Sequence, residues 1–412
     1  MKRFELEIGH IFSSANVAQR LITVVFFSVL YMNVFLTFNG VEFLEKFHEN
    51  RNLAPVPSSF RPERFIESLP IFYRELDAYV RDHFAFRKPL IIIFNSLRYY
   101  FFDSSPTSKA MIGKNGWIFY GSKSMLSDYG RSNELEEKYL LKIERSFFER
   151  KLWLSKRNIG FVLVIVPNKH NLYSQFMPAY LKKGANPSNG ELLIQRISSH
   201  RDLTVNLFSV FRENSTKEQL YYKIDTHWNH AGAKLAVKSV IQQIKNICPD
   251  LHFRLLPSMT KKTTLFSTGN FGLLMGVPLR EQESIEIPVD GWAWEKRPFE
   301  DVKRRLPERA RVSQMINPKA PPTRVLVLGD SYMARFDKYL AEAFGHTIFI
   351  NLWFTDDEPE NRFPHEIISS VNPDLVIFLV AERRLGSNRH DGFFLKGENP
   401  KQVRNIGLKN ES

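Results

Sequence analysis

The sequence has a single cysteine, Cys248, among 412 residues. One thiol excludes an intramolecular disulfide framework and any zinc ribbon built from cysteines, but it is compatible with cytoplasm and periplasm alike. The chain also lacks a long run of lysine or arginine and any recognisable nucleic-acid-binding motif, so no nucleic-acid partner is expected. Its formal charge of +13 suits an anionic polysaccharide or a lipid surface, or it reflects solvated basic faces.

Charged residues are missing between Leu21 and Phe38, where the sequence reads LITVVFFSVLYMNVFLTF. This run is apolar on every face, and about 20 such residues cross a bilayer core. No small-x-small cleavage site follows it, which favours an uncleaved membrane anchor over a removed signal peptide. Basic residues lie on both sides of the run, so the positive-inside rule only weakly favours a cytoplasmic location for residues 1–20. The alternative is a buried helix of a soluble protein.

The sequence after the anchor divides near residue 108. Residues 39–108 begin polar and then show the spacing of one helix face, with apolar residues at Phe72, Leu76, Tyr79 and Val80. This spacing predicts a helical stalk or lead-in to the main domain.

The main domain is predicted to occupy residues 109–412. It begins with KAMIGKNGWIFYG, two short β-like runs around Asn115-Gly116, a pair that suits a tight hairpin turn. Helical segments then alternate with the apolar, β-branched runs FVLVIVP, TRVLVLGDS, HTIFINLW and DLVIFLVAER. The 43% hydrophobic content is enough for one large core or two modest ones. Alternation of this kind predicts an α/β fold with a mostly parallel sheet flanked by helices.

Polar clusters follow three of the predicted strands, namely Pro167-Asn168-Lys169, Gly329-Asp330-Ser331 and Glu382-Arg383-Arg384. Functional residues gather at the carboxyl ends of parallel strands. Ser331 lies between a strand and the segment YMARFDKYLAEAF, which has helical spacing, so its hydroxyl is predicted to project from a strand-to-helix turn. The helix N-terminus would stabilise a developing negative charge there, and Gly329 would let the backbone turn tightly.

The stretch DTHWNHAGAKLA begins at Asp225 and has four interpretations: a metal site, part of a nucleophilic triad, a helix cap among polar loop residues, or surface decoration. Asp225 and His227 are separated by one residue, so on an extended loop their side chains lean to the same side. His227 could then take the proton of Ser331 while Asp225 orients the imidazole. Asn229 would cap a helix that begins at His230. A metal site would use Asp225, His227 and His230, but no further histidine or carboxylate cluster completes its shell.

The chain resembles the AlgJ/AlgX-type polysaccharide O-acetyltransferases, which have an SGNH-hydrolase-like domain with the Asp-His pair placed before the serine, a permuted motif order. The resemblance extends from Asp82 to Leu385 and rests on DHFAFR, IGKNGWIFYG, VPNKHNLYSQFMP, DTHWNHAGAKLA, TGNFGLLMG, VLVLGDSYM and AERRL, in that order. The chain ends soon after AERRL, so it looks too short for the carbohydrate-binding module of AlgX-like members. TGNFG stands where an acidic residue commonly follows the glycine.

The resemblance implies that Ser331 is the nucleophile, His227 the general base and Asp225 the residue that orients it. A backbone N–H near Ser331 would form part of the oxyanion hole. Asn270 is a candidate second donor or substrate-binding residue, with stabilisation of a glycine-rich turn as its alternative role. No cofactor and no metal are required.

The expected function is acetylation of the hydroxyls of an exported polysaccharide through an acetyl-serine intermediate. The family also implies a single-pass enzyme of the bacterial inner membrane that faces the periplasm and a multi-spanning membrane partner that brings the acetyl group across. An SGNH-type carbohydrate esterase would use the same three residues but transfer the acetyl group to water. A non-catalytic scaffold that binds anionic polysaccharide is the third reading.

Overall fold

The computed structural model describes residues 2–39, 52–131, 137–197, 204–306, 310–351 and 365–385. Backbone contacts divide the chain into two compact units. The first contains Met1–Thr107 and the short segment Gly272–Pro278, and the second contains Ser108–Phe271 and Leu279–Ser412. The predicted strands and every candidate catalytic residue belong to the second unit.

The first unit is helical. Helix α1, Lys2–Phe38, includes the stretch Val17–Thr37, which has a mean hydropathy of 1.8, is nowhere buried, and is long and apolar enough to cross a membrane. Helices α2, Phe65–His83, and α3, Arg87–Phe102, follow a single 3-10 turn at Pro62–Arg64. The predicted apolar helix is therefore present, and the segment after it, predicted to be helical, contains two helices. Residues 40–51 of the predicted stalk lie outside the described residues.

The second unit begins with the predicted hairpin. Strands β1, Ala110–Ile112, and β2, Ile118–Tyr120, pair antiparallel. Asn115 and Gly116 at the tip have φ angles of 56° and 75°, the positive pair that a type I′ turn requires.

The remaining elements of this unit form a layered α/β arrangement. Its further strands are β3 Gly160–Val166, β4 Thr204–Val205, β5 Met259–Ser267, β6 Arg280–Pro288, β7 Glu295–Arg297, β8 Arg311–Ile316, β9 Arg324–Gly329, β10 His346–Asn351 and β11 Leu375–Ala381. Its helices are α4 Lys123–Gly130, α5 Glu137–Ser155, α6 Lys169–Leu172, α7 Asn189–Ile197, α8 Leu207–Asn214, α9 His230–Ile247, α11 Glu300–Lys303, α12 Met333–Leu340 and α13 His365–Val371. Helix α10, Gly269–Met275, begins in this unit and continues into the segment that belongs to the first.

Seven of these strands form one sheet in the order β4-β3-β11-β9-β10-β8-β7. The first five run parallel, and β8 is antiparallel to both of its neighbours. Strands β5 and β6 pair with each other in a separate antiparallel ribbon. The predicted fold class, a mostly parallel sheet flanked by helices, is confirmed.

The central strands are buried on both faces, which explains their continuous apolar sequences. Alternate residues of β3, β9 and β11 enter one core with α9 and α12, and the intervening residues enter a second core with α5, α7 and α13. A strand between two helical layers has no solvent-facing side, so Val, Leu and Ile occupy most positions on both faces. Because β3, β11 and β9 are neighbours, their carboxyl ends bring the three polar clusters to one edge of the sheet.

Two details near Ser331 differ from the prediction. A Cβ on Gly329 would lie 2.6 Å from the carbonyl oxygen of Leu379, so the glycine is required by the close approach of β11 rather than by the turn. Helix α12 is also interrupted, because Ala334 has φ/ψ of −58°/132° and Arg335 has 72°/−38°. The expected helix therefore does not run straight on from the serine turn, and any stabilisation of charge by its N-terminus is limited to the single turn before the break.

Candidate active site

The loop that carries Asp225 and His227 is fixed from both sides. Tyr221 and Trp228 form an isolated antiparallel bridge around it, and both side chains are fully buried. Asn229 caps α9 as predicted, since its side chain accepts a hydrogen bond from the backbone N–H of Gly232 at 3.0 Å. A Cβ on Gly232 would lie 2.3 Å from the carbonyl oxygen of Leu220, so the first turn of α9 packs too closely for a side chain there.

Asp225, His227 and Ser331 form a continuous hydrogen-bonded chain. The Nε2 atom of His227 lies 2.7 Å from Oγ of Ser331, and its Nδ1 atom lies 2.7 Å from Oδ1 of Asp225. Because the carboxylate accepts only, Nδ1 carries the hydrogen and Nε2 is left to accept the proton of the serine. This is the geometry of a nucleophile, a base and an orienting acid.

Asp225 is held as an ionised carboxylate. Its Oδ1 atom also accepts the backbone N–H of His227 at 2.9 Å, and its Oδ2 atom accepts the backbone N–H of Asn270 at 2.8 Å. Burial alone would raise the pKa of Asp225, but the hydrogen bonds and charge of His227 and the Asn270 N–H hold that pKa below its usual value. The carboxylate thus stays charged next to the imidazole.

The turn at Ser331 is tied down by the buried Asp330. Its Oδ1 atom accepts the backbone N–H of Tyr332 at 3.0 Å, and its Oδ2 atom accepts the backbone N–H of Ala381 at 2.9 Å. The aspartate therefore links the ends of β9 and β11 and leaves the serine side chain free to point at His227. Within the described residues the backbone N–H of Ser331 makes no hydrogen bond, so it remains available to an incoming oxygen.

Tyr332 packs beside the imidazole. Its ring meets the ring of His227 edge to face at 4.9 Å, and its hydroxyl donates to the carbonyl of Thr226 at 2.8 Å. Arg383, from the end of β11, donates to the same hydroxyl at 3.2 Å and lies 5.1 Å from the centre of the ring. The contact with Tyr332 thus restricts the rotation of the His227 ring.

Lys169 is buried beneath the Asp225 loop. Its Nζ atom donates to the carbonyls of Ile118, Lys223 and Asp225 at 2.6, 2.8 and 3.0 Å. The rings of Trp117, Phe119 and Phe271 surround it at 5.0 to 5.2 Å. Burial lowers the pKa of Lys169 to about 7, against the attraction of Asp225 and Glu281. An ammonium group donates three hydrogen bonds and is attracted to aromatic ring faces, and the three carbonyls and three rings around Nζ provide both. The lysine therefore stabilises this loop through its charge.

A second buried polar network joins the ends of β3 and β11. Asp128 accepts from Asn168 at 3.2 Å and from His170 Nε2 at 3.1 Å. Glu382 accepts the backbone N–H of Asn168 at 2.7 Å and the side chain of Asn171 at 3.2 Å. Burial and the nearby Asp128 raise the pKa of Glu382 to about 7, while its hydrogen bonds oppose that rise. Burial lowers the pKa of His170, so its ring is neutral and donates through Nε2.

Asn270 lies at the rim of the Asp-His pair. With its amide nitrogen turned toward Asp225, the side chain donates to Oδ2 at 2.6 Å and to Oδ1 at 3.2 Å. In the opposite orientation it donates to the hydroxyl of Thr226 at 3.4 Å. The structure therefore places Asn270 against Asp225 and Thr226, and its role as an oxyanion donor stays a prediction.

His230 points away from the triad residues. Its Nδ1 atom lies 3.1 Å from the hydroxyl of Tyr339, which donates to the carbonyl of Glu286. Burial, together with Lys338 and Arg335, lowers the pKa of His230 to about 3, so the ring is neutral. In the part of the chain that the structure describes, no three His, Cys, Asp or Glu side chains are grouped to hold a metal ion.

An open cleft of about 560 Å³ gives access to Ser331 and His227. Its lining residues are Phe119, Tyr120, Ser122, Met125, Asn168, Lys169, His170, Thr226, His227, Asn270, Phe271, Ser331, Tyr332, Arg383 and Arg384. All three polar strand ends contribute to it. Sequence reasoning placed Lys169 and Arg383 at such ends without giving them a role, and it did not single out His170 or Asp128. Position at a strand end was the only local signal for Lys169 and Arg383, and Asp128, on α4, had none.

The solved structures that this chain resembles share little sequence with it. PatB1 from Bacillus cereus is 15% identical with a TM-score of 0.49, covering 66% of this chain and 96% of that one. The O-acetyltransferase domain of AlgJ from Pseudomonas putida is 15% identical with a TM-score of 0.43, covering 71% and 96%. AlgX from Pseudomonas aeruginosa is 15% identical with a TM-score of 0.40, covering 68% and 66%. The comparison with curated proteins found no match.

The sequence itself matches one family over residues 110–363, more than half of the 412 residues. That family is described as the SGNH hydrolase-like domain of the acetyltransferase AlgX. The match spans the hairpin, Asp225, His227 and Ser331. The resemblance predicted from the sequence is confirmed, and the chain belongs to the family of AlgX-type SGNH hydrolase-like acetyltransferase domains.

Proposed function

We propose that this protein is an O-acetyltransferase that acetylates hydroxyl groups of an exported polysaccharide through an acetyl-Ser331 intermediate. The observation that carries the proposal is the hydrogen-bonded chain from Asp225 through His227 to Ser331, with its serine end open to a cleft. Membership of the AlgX-type family supports the acetyl group as the one transferred.

In the first half-reaction Ser331 attacks the carbonyl carbon of an acetyl donor. His227 Nε2 takes the serine proton as the Oγ–C bond forms, and Asp225 stabilises the resulting imidazolium. The tetrahedral intermediate then collapses, the bond to the donor oxygen breaks, and His227 returns the proton to that leaving oxygen. The products are acetyl-Ser331 and the deacetylated donor. This half-reaction requires no cofactor.

The oxyanion of the tetrahedral intermediate needs donors that are already in place. The backbone N–H of Ser331 is one, because it is unpaired within the described residues and belongs to a turn fixed by Asp330. Asn270, at the cleft rim, is the candidate for the second donor. Loss of one such donor typically costs about 10²–10³ in rate.

In the second half-reaction a sugar hydroxyl gives its proton to His227 and attacks acetyl-Ser331. The new ester forms on the sugar, the Oγ–C bond breaks, and the serine recovers the proton. The cleft offers the partly exposed ring of Tyr120, on which a sugar can stack, and it also offers the cations of Arg383 and Arg384. These cations and the net charge of +13 favour an acceptor that carries negative charge.

The proposed location is the bacterial inner membrane, with α1 as a single-pass anchor and the second unit in the periplasm. The length and hydropathy of α1 support the anchor. Export of the polysaccharide requires the reaction to occur on the far side of the membrane from cytoplasmic acetyl donors. The proposal therefore includes a multi-spanning membrane partner that supplies the acetyl group.

Acetyl transfer and hydrolysis are distinguished by offering both acceptors at once. Full-length protein in detergent is incubated with an activated acetyl ester and a mixture of neutral and uronic-acid oligosaccharides, and acetylated sugar and free acetate are measured separately. The proposal predicts acetylated oligosaccharide that depends on Ser331, so S331A gives none. Free acetate as the sole Ser331-dependent product would make the protein an esterase. Oligosaccharide binding without either product, unchanged in S331A, would make it a scaffold.

A further inference from the structure

Helix α3 carries its apolar stripe on the outside. Six large apolar or aromatic residues at helical spacing are between 45% and 77% exposed: Leu90, Ile93, Phe94, Leu97, Tyr100 and Phe101. At 100° per residue they span a sector of about 120°, the width of a core-facing stripe. A soluble helix buries this face, so α3 has the opposite arrangement.

The other face of α3 is the one that packs within the first unit. Asn95 donates to the carbonyl of Met275 at 2.7 Å, and Met275 is buried. Arg98 donates to the hydroxyl of Ser104 and the carbonyl of Ser105, both at 3.1 Å. The orientation of the helix is therefore fixed by polar contacts on its inner side.

Helix α2 repeats the arrangement. Six of its exposed apolar residues share one face, Phe65, Ile66, Leu69, Tyr73, Leu76 and Val80, while Ile71, also exposed, lies outside that face. Its polar residues contact the chain that precedes it, since Glu75 accepts the backbone N–H groups of Ser58 and Ser59 at 3.0 and 3.1 Å. Two successive helices with outward apolar stripes form a contiguous amphipathic segment rather than a chance exposure of single residues.

The corner between α2 and α3 is attached to the end of the apolar helix α1. The backbone N–H of Ala85 donates to the hydroxyl of Thr37 at 3.0 Å, and the backbone N–H of Phe86 donates to the side chain of Asn33 at 3.3 Å. Asn33 and Thr37 belong to the last turns of the stretch that is long enough to cross a membrane. The start of α3 is thereby held at the level where that stretch would leave the bilayer.

We propose that the exposed apolar face of α3, together with that of α2, lies in the headgroup region of the membrane as an interfacial amphipathic segment. A lipid surface fits because the corner of the two helices is bonded to the end of the membrane-spanning stretch. Aromatic residues such as Tyr100 and Phe101 are also typical of the membrane–water interface. The inference rests on α1 as the anchor and is independent of the acetyl-transfer chemistry.

Burial of apolar surface, rather than charge, drives this contact. Residues 65–102 contain five lysines and arginines against four acidic residues, which leaves the segment nearly neutral. The contact should therefore form on zwitterionic lipid and gain little from anionic lipid. A helix that depended on anionic headgroups would carry an excess of basic residues.

Depth-dependent fluorescence quenching tests the proposal on the full chain. In a C248S background, single cysteines replace Leu97 on α3, Phe26 within α1, and Leu255, an exposed leucine of the second unit. Each variant is labelled with an environment-sensitive fluorophore and reconstituted alone into phosphatidylcholine vesicles, with nitroxide-labelled lipid as one quencher and aqueous iodide as the other. F94C provides a second position on α3 should L97C fold poorly.

The proposal predicts that headgroup-proximal nitroxide removes most of the fluorescence at Leu97 and Phe94, that mid-bilayer nitroxide does so at Phe26, and that only iodide quenches at Leu255. Iodide quenching at Leu97 like that at Leu255, with Phe26 still quenched by lipid, would overturn it. Protection of Leu97 from both quenchers would mean that protein covers the stripe, which also overturns it. Absence of lipid quenching at Phe26 would remove the anchor and the inference with it.

Discussion

The imidazole of His227 lies 2.7 Å from the hydroxyl of Ser331, although 104 residues separate the two in the chain. The first follows an extended loop at the start of α9, and the second follows β9. Asp330 fixes the serine turn to β11, and Lys169 fixes the Asp225 loop to the carbonyls around it. The contact is thus supported by two independent sets of buried polar bonds.

The three residues of the chain should act as a unit. D225A, H227A and S331A are each expected to reduce the acetyl-transfer rate by several orders of magnitude, and the triple variant by little more, because each change alone disables the same proton transfer. D225N should keep the fold but favour the wrong imidazole tautomer, with a loss of about 10⁴-fold by analogy with serine proteases. Rate constants measured for these five variants check this. Losses that multiply would show that the residues act separately.

His227 and His230 should respond differently to substitution. H230A removes a buried ring that contacts Tyr339, so it is expected to lower the melting temperature while leaving the rate within about tenfold of the unmutated protein. H227A should abolish the rate at little cost in stability. A chelator should not change the activity of either variant. If H230A were as inactive as H227A, and a chelator abolished activity of the unmutated protein, Asp225, His227 and His230 would be metal ligands instead.

Lys169 should act on the rate through the position of Asp225. K169M keeps the length of the side chain but leaves the carbonyls of Ile118, Lys223 and Asp225 without their donor, at a cost of at least about 2 kcal/mol. We expect kcat to fall with little change in KM, measured at a temperature where the variant is folded. K234M is the matched control, since Lys234, on α9, is also largely buried but pairs with Glu286 of β6. Full kcat in folded K169M would refute the positioning role.

Glu382 should make stability depend on pH in a defined window. Its pKa is about 7 in the folded protein against an ordinary 4.5, so the folded state keeps a proton that the unfolded state releases between these values. The stabilisation is complete below 4.5 and is lost as the pH rises through 7. Melting temperatures from pH 4 to 8 should therefore fall less for E382Q than for the unmutated protein. E366Q, which changes an exposed carboxylate, should show the same dependence of melting temperature on pH as the unmutated protein. If E382Q also showed that same dependence, Glu382 would not be the source of the pH effect.

The sequence was sufficient for features that depend on local pattern. The apolar runs predicted β3, β9, β10 and β11 because strands buried on both faces need no polar positions. Asn115-Gly116 predicted the hairpin because that pair accepts positive φ angles. Asn229 predicted the start of α9 because its side chain satisfies a free backbone N–H.

Features that depend on distant partners were not predictable in this way. The apolar spacing after Ser331 indicated an unbroken helix, but Arg335 leaves it at φ 72° and its guanidinium stacks on the rings of Tyr222 and Phe266. Neither ring is near it in the sequence. The three carbonyls that bind Lys169 likewise come from two distant parts of the chain, Ile118 and the loop with Lys223 and Asp225, so a lysine at a strand end carried no sign of its role.

The most direct test of the account is a search for the acetyl group on Ser331 itself. The full-length protein is mixed with an activated acetyl ester in the absence of sugar, quenched in acid, digested and examined by mass spectrometry. The account predicts an acetylated peptide with the modification on Ser331, absent from S331A and from H227A, and lost when oligosaccharide is added before the quench. Acetyl transfer to oligosaccharide at full rate in S331A, with no acetyl group ever found on Ser331, would contradict it.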